Sequence, residues 1–469
     1  MAETKQDENA KRSDVWEKDR RHVLHPYQHF ASFDEEGALV MHRGTGCYIT
    51  DENGKEYFDA VGGMWCTNIG LGRDEMADVI AEQVRKMAYA NPFVDMTNPP
   101  AARLAARLAD LAPGDLNHVA FSSGGSTAND LAYRIIRMYQ NARGKPDKRH
   151  LLTRTDAYHG ATYLAASLGG KPGDRICEFD FITDWIHHLS SPNYYRAPAH
   201  IRSEAAFCDH LLEEMERKIL DVGADNIAAF YAEPIMGAGG VIVPPADYNR
   251  RTWELCRRHD ILYVADEVVT AFGRLGHWFV SEEKYGIVPD IITCAKGLSS
   301  GYLPLGATIF SDRIYDTIAA DVDRYFAAGF TYSAHPVCCA AALRNIEIIE
   351  REKLFDNVNA VGPYFEAQLR TLLDLPIVGD IRGEKFMMCI VNVRDKGTRE
   401  FFAPDIDIGK RISNHAEALG LIVRPIVDLN IMSPPLTMTR DDVDFVVATL
   451  RRSIELTMED LRAEGLWQG

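Results

Sequence analysis

The stretch DIITCAKGLSSGYLPLG, residues 290–306, runs an apolar segment directly into Lys296 and then into a turn rich in glycine and serine. Ile291, Ile292, Thr293, Cys294 and Ala295 form a short β-rich run without polar alternation. Such a run fits a strand covered on both faces, as in a parallel sheet. A lysine at a strand end ordinarily carries its ammonium out to water. Two neighbouring runs make this one different. NIAAFYAEP carries Glu233 at its end, just before Pro234, and ILYVADEV carries Asp266 and Glu267 at the same relative place. Ligands of open parallel sheets sit beyond the carboxyl ends of the strands. Three charged ends in succession therefore read as one site on an α/β domain.

Working outward, strand–helix alternation extends from about residue 74 to residue 330, with HVAFSS preceding the helical ANDLAYRIIRMYQNA. Before it, residues 39–59 alternate β-like runs with turn signals (GTG, DENG), which suggests a small layer bearing a hairpin. The part after residue 334 mixes amphipathic helices (HPVCCAAALRNIEIIERE, DVDFVVATLRRSIELTMEDLRAEG) with short strands (MMCIVNV, LIVRPIV), an α+β pattern. The charged stretch before HVLHPYQHF is expected to be disordered.

A net charge of −17 argues against a nucleic-acid or anionic-membrane surface. The nine cysteines form no C-x-x-C pair and no cluster with histidine, against a zinc site or a disulfide framework, so no metal is expected. The N-terminus lacks the apolar core of a secretory signal, and no apolar run approaches membrane-spanning length. These features place the expectation on a cytoplasmic protein.

An aldehyde cofactor with a pyridine ring needs three groups. A lysine must bond its aldehyde, and serves only where a confined site keeps part of it unprotonated. A carboxylate must keep the ring nitrogen protonated so that the ring accepts electrons. Backbone N–H groups at a helix start must grip the phosphate. Lys296, Asp266 and the turn SSGGSTAND, with Ser126 and Thr127, answer each need. Taken singly each has a plainer reading: a solvent-facing lysine, a hydrolytic or metal-binding acid pair of Asp266 and Glu267, an ordinary helix cap.

The run ILYVADEVVTAFGRLGHWF followed by PDIITCAKGLSSGYLPLGA resembles the signature of class III aminotransferases, pyridoxal-phosphate enzymes of fold type I, and most closely that of the pyruvate-dependent ω-transaminases. The resemblance extends from HVLHP to the C-terminus. It implies a large cofactor-binding domain at residues 74–333 with a mostly parallel sheet, and a smaller α+β domain from residues 1–73 and 334–469. It implies that Lys296 bonds pyridoxal 5'-phosphate and is catalytic, that Asp266 meets the pyridine nitrogen, and that Val268 packs on the ring. Gly125 and Ser126 would grip the phosphate, and Tyr158 of YHG would stack on the cofactor. Thr331 of GFTYSAHPV would reach the phosphate in a neighbouring subunit, which implies a homodimer, or a dimer of dimers, with a shared active site. Trp65 of GGMWCTNIGLGR would wall the substrate pocket, with core packing an equal alternative, and Arg424 of LIVRPIVDLNIMSPPL would bind carboxylates. SPNYYR resembles a loop at the pocket rim, and Glu233 is a family position without an assigned role.

The family's usual SGSEAN is here GGSTAN, with Gly124 and Thr127 as departures, and Ala271 stands where glycine is usual. None removes a group that the chemistry requires. The implied activity is a ping-pong transfer of an amino group from an ω-amine or amino acid (of β-alanine, taurine, diamine or arylalkylamine type) to pyruvate. An aminomutase or a decarboxylating transaminase is the alternative within the fold. A cofactor-binding regulator would need an added helix-turn-helix, for which neither terminus has room.

Overall fold

Seven strands form the central sheet of the computed structural model, which describes residues 13–469. In spatial order they are His118–Ser122, Gly306–Phe310, Ile291–Cys294, Leu262–Asp266, Ile227–Ala232, His150–Arg154 and Ile186–Leu189. Ile227–Ala232 and Leu262–Asp266 are buried at every position, as their unbroken apolar composition dictates for strands covered on both faces. Gly306–Phe310 runs antiparallel to both neighbours, and the remaining adjacent pairs are parallel. Its reversal follows from chain length: only residues 295–305 separate it from the Lys296 strand, too few for a crossover helix. The fold is mixed α/β with a mostly parallel sheet.

The expected hairpin layer is present as Met41–Thr45, Tyr48–Asp51 and Glu56–Asp59. Its last strand pairs in parallel with Leu421–Ile422, so early and late chain share one sheet. LIVRPIV, expected as one strand, is two. Leu421–Ile422 joins that layer, whereas Arg424–Ile426 pairs with Leu429–Met432 at the edge of a second four-stranded sheet. Pro425 lacks an N–H to donate, and an edge position tolerates that loss. The expectation of disorder before HVLHPYQHF also needs correction. Residues 1–12 lie outside the described region, but Asp14–His22 is a helix capped by Ser13, with Trp16 buried. Arg20 lies over the Trp16 ring from within the same helix, and Gly37 packs closely against the buried indole, which ties this charged segment to the rest of the chain. Among the described residues no helix is long and apolar enough to cross a membrane.

Candidate active site

The three charged strand ends lie side by side, because Ile227–Ala232, Leu262–Asp266 and Ile291–Cys294 are adjacent parallel strands. Lys296 begins a short 3-10 turn just past its strand, with φ of 41°, in the left-handed region that a side-chain-bearing residue seldom enters. Strain of this kind persists where surrounding structure imposes it, and it clusters at functional sites. Among the described residues the Lys296 amine has no hydrogen-bond partner. Burial lowers its pKa, while the Asp266 and Glu233 carboxylates pull the other way. The result is an amine poised for use as a base or nucleophile.

Asp266 is held more tightly. Its Oδ2 accepts from His159 Nδ1 at 2.7 Å and from Asn129 Nδ2 at 2.9 Å, and its Oδ1 accepts from Val268 N at 3.1 Å. Asn129 also donates to the His159 carbonyl, and its own Oδ1 accepts from Thr293 Oγ1 at 2.9 Å. Both His159 and Asn129 are buried. Sequence reasoning gave them no role. Their positions in YHG and TAND were visible, but only the fold brings residues 129, 159, 266 and 293 to one carboxylate. Glu267 belongs elsewhere: its oxygens accept from Ser281 N and Oγ, Val280 N and Thr270 Oγ1, so it fastens the start of the next helix. Neighbouring residues in a strand face opposite sides, and the paired-acid hydrolase reading loses its second acid.

The glycine-rich turn lies at the start of the helix Gly125–Ala142. A methyl at Gly124 would meet nothing within 4 Å, so open space faces this helix start. Gly125 packs against Val268, whose methyls lie 3.0 Å from where a Cβ would be. Ser126 Oγ accepts from Ala161 N at 3.0 Å, which ties the turn to the YHG loop. Thr127 donates to the Gly124 carbonyl at 2.9 Å, so this departure closes its own turn and leaves the backbone donors in place. Ala271, the other departure, is buried without left-handed backbone and is accommodated. Gly160 has φ of +138°, and a methyl there would fall 2.6 Å from Ser126 Cβ. Gly160→Ala is therefore expected to lose about 1–3 kcal/mol of stability and to weaken cofactor retention. Thermal denaturation with and without added cofactor measures both.

Tyr158 is half-buried, and its backbone N–H donates to Glu233 Oε1 at 3.0 Å. Glu233 Oε2 accepts from Gly237 N at 2.8 Å, so this acid, whose pKa burial raises, clasps two loops. Arg424, half-buried, donates to the Met64 sulfur and lies within electrostatic range of both Lys296 and Tyr158. Trp65 is only 4% exposed and packs in an apolar cluster with Ile235, Val241, Leu275 and Met387. Thr331 is exposed, and its carbonyl accepts from Tyr89 Oη at 2.9 Å. The structure thus gathers Lys296, Asp266, Val268, Gly125, Ser126, Tyr158 and Arg424, and leaves Thr331 outward-facing.

The family model for class III aminotransferases matches residues 31–454. The chain belongs to the class III aminotransferases. A putrescine–pyruvate aminotransferase of Pseudomonas aeruginosa is 39% identical over 450 residues, which is 96% of this chain and 97% of that protein. A diaminobutyrate–2-oxoglutarate transaminase of Halomonas elongata is 36% identical, covering 97% of this chain and 98% of that one. The crystal structure of an (S)-enantioselective ω-transaminase from Thermomicrobium roseum superposes with a TM-score of 0.91 at 40% identity, covering 94% of this chain and 98% of that one. Class III aminotransferases depend on pyridoxal phosphate, and this aminotransferase has groups that fit it. An amine without a partner, a carboxylate held by three donors and an open helix start match its aldehyde, ring nitrogen and phosphate in turn.

Proposed function

We propose that this aminotransferase moves an amino group from an amine distant from, or lacking, a carboxylate to pyruvate. The convergence of an unpartnered Lys296 with the clamped Asp266, within range of a guanidinium, carries the reading. Bound pyridoxal phosphate supplies an electron sink for the carbanion formed at the donor carbon. Lys296 would hold the cofactor through its aldehyde and, once free, would carry the proton to and from the donor carbon, a task suited to an amine whose pKa burial lowers. Asp266 keeps the ring nitrogen protonated, with His159 and Asn129 fixing its carboxylate. Gly125 and Ser126 hold the phosphate, Val268 and Tyr158 pack on the ring, and Trp65 backs the pocket. Thr331, exposed in a single chain, serves the phosphate of a second copy in a homodimer.

The acceptor's carboxylate and an uncharged donor group must occupy one pocket in turn. A fixed buried guanidinium would suffer desolvation whenever the apolar group arrived. Arg424 sits on an edge strand with a thioether, a weak acceptor, as its partner, and so can swing at little cost. Its planar fork suits a carboxylate. Arg424→Ala is expected to slow recharging by pyruvate about 10²-fold while deamination of an arylalkylamine changes little. Single half-reactions followed by cofactor absorbance decide it, and equal losses in both halves would make Arg424 structural.

The reading as a whole is tested by a donor panel of putrescine, β-alanine, taurine and an arylalkylamine against pyruvate and 2-oxoglutarate. Alanine formation with at least one ω-amine is expected to exceed glutamate formation. Product without any keto acid would point to an aminomutase, and carbon dioxide release to a decarboxylating transaminase.

A further inference from the structure

A cleft of about 440 Å³ opens at the opposite end of the central sheet, where the strands Leu262–Asp266 and Ile291–Cys294 begin. Nothing in the transamination chemistry uses it. Its lining includes Asp115, Trp253, Arg257, Asp290, Ser311 and Arg313. Two of its acids are already engaged. Asp290 accepts from Tyr263 N at 2.8 Å and from Arg313. Asp260, at the cleft edge, accepts from Arg143 and Lys145, each at 2.8 Å. Burial alone would raise the Asp260 pKa, but these two bonds hold it down to about 2.

What remains is an unusual set of free groups. Arg257 lies over the Trp253 ring at 4.8 Å, and among the described residues its guanidinium has no acidic partner. Trp253 is itself fixed by its indole N–H, which donates to the Val288 carbonyl at 3.0 Å. Ser311 is only 4% exposed, and among the described residues its hydroxyl has no hydrogen-bond partner. A buried hydroxyl left without a partner is destabilising unless a ligand or water meets it. Ser311 also caps the helix Asp312–Ala319, whose N-terminal dipole favours negative charge. Asp115, exposed, is the one lining acid whose carboxylate has no partner among the described residues; its carbonyl accepts from Asp312 N at 3.0 Å, which places it beside Ser311.

A guanidinium, a buried hydroxyl and a helix start together suit an oxyanion. A free carboxylate beside them would repel a fully ionised oxyanion but accept a hydrogen bond from one that carries an O–H. We propose that this cleft binds inorganic phosphate, which bears an O–H at neutral pH, and discriminates against sulfate, which does not. Arg257 and Ser311 bind the charged oxygens, and Asp115 accepts the phosphate hydroxyl.

The test is a calorimetric titration of the holoenzyme, in which cofactor already fills the phosphate grip of the reaction site. Inorganic phosphate is expected to bind saturably and sulfate about tenfold or more weakly. Quenching of tryptophan fluorescence that disappears in Trp253→Phe places the event in the cleft. Arg257→Ala and Ser311→Ala are each expected to weaken phosphate by about tenfold, and Asp115→Asn to bring sulfate level with phosphate. Transamination should be unchanged in all four variants. Absence of saturation, unchanged phosphate affinity in Arg257→Ala, or equal binding of sulfate by the unaltered enzyme would each overturn the proposal.

Discussion

Lys296→Ala is expected to lower turnover by about 10⁴-fold or more, and to leave no lysine that borohydride can fix to the cofactor. In the proposed cycle the lysine has two tasks, bonding the resting cofactor and carrying the proton, and among the described residues no other lysine lies at the end of these strands. Asp266 and the helix start at Gly125 are untouched by the substitution, so the variant should still bind cofactor without a covalent bond. Peptide mapping after reduction supplies a readout independent of turnover. A reduced adduct on any other lysine would refute the assignment. The apoprotein offers a second check. The pKa of Lys296 is lowered by burial, so the unfolded chain binds more protons there than the folded chain does. Stability from this group therefore rises with pH across the interval between the two pKa values. Unaltered apoprotein should gain on Lys296→Ala as the solution is made alkaline; a constant gap between them would show that the amine is not desolvated.

Asp266→Asn is expected to slow proton transfer by about 10³-fold, the scale of losing one preorganised electrostatic partner. The amide keeps the shape but carries no charge to hold the ring nitrogen protonated. It also fits its surroundings poorly. Oδ2 faces donors from His159 and Asn129, and Oδ1 faces the Val268 N–H. An amide must turn its NH₂ toward one side or the other, leaving donors opposed at a cost of about 1–3 kcal/mol. A lowered melting temperature with cofactor still bound and single-turnover proton transfer greatly slowed is the expected combination. Near-normal turnover would mean that Asp266 does not meet the ring nitrogen. Asn129→Ala serves as the milder control, since it removes one of three donors and no charge.

The proposed chemistry of this site was readable in the sequence because it rests on residue type at strand ends. NIAAFYAEP, ILYVAD and DIITCAK are short apolar runs that fit covered strands, and each delivers one ionisable group at the same end. Burial is the largest cause of both shifts, lowering the pKa of Lys296 and raising that of Glu233 against the pull of their neighbours. The glycine-rich turn was legible for a similar local reason, since a helix start provides its own donors.

Less legible was whatever depends on residues far apart in sequence. The roles of His159 and Asn129 arise because residues 129, 159, 266 and 293 meet, and periodicity carries no record of that. Glu233 gained a task only when its two oxygens met Tyr158 N and Gly237 N. Trp65 was balanced between pocket wall and core from sequence, and its low exposure shows how far it is packed into the cluster around Met387. Asp14–His22 was misread because its composition is charged, whereas the helix carries a Ser13 cap and a buried Trp16, which an averaged composition does not register.

Sequence by itself determined the fold class, since apolar patterning dictates which strands are buried, and the family, through the resemblance of its ILYVADEVVTAFGRLGHWF and PDIITCAKGLSSGYLPLGA runs. Tertiary structure alone decided the direction of Gly306–Phe310, the division of LIVRPIV between two sheets, the clamp on Asp266 and the remote cleft at Ser311. Each of these is set by which segments become neighbours. Neighbourhood in space is a property of the closed chain, fixed by the few arrangements that bury all the apolar runs at once and still pair their backbone groups.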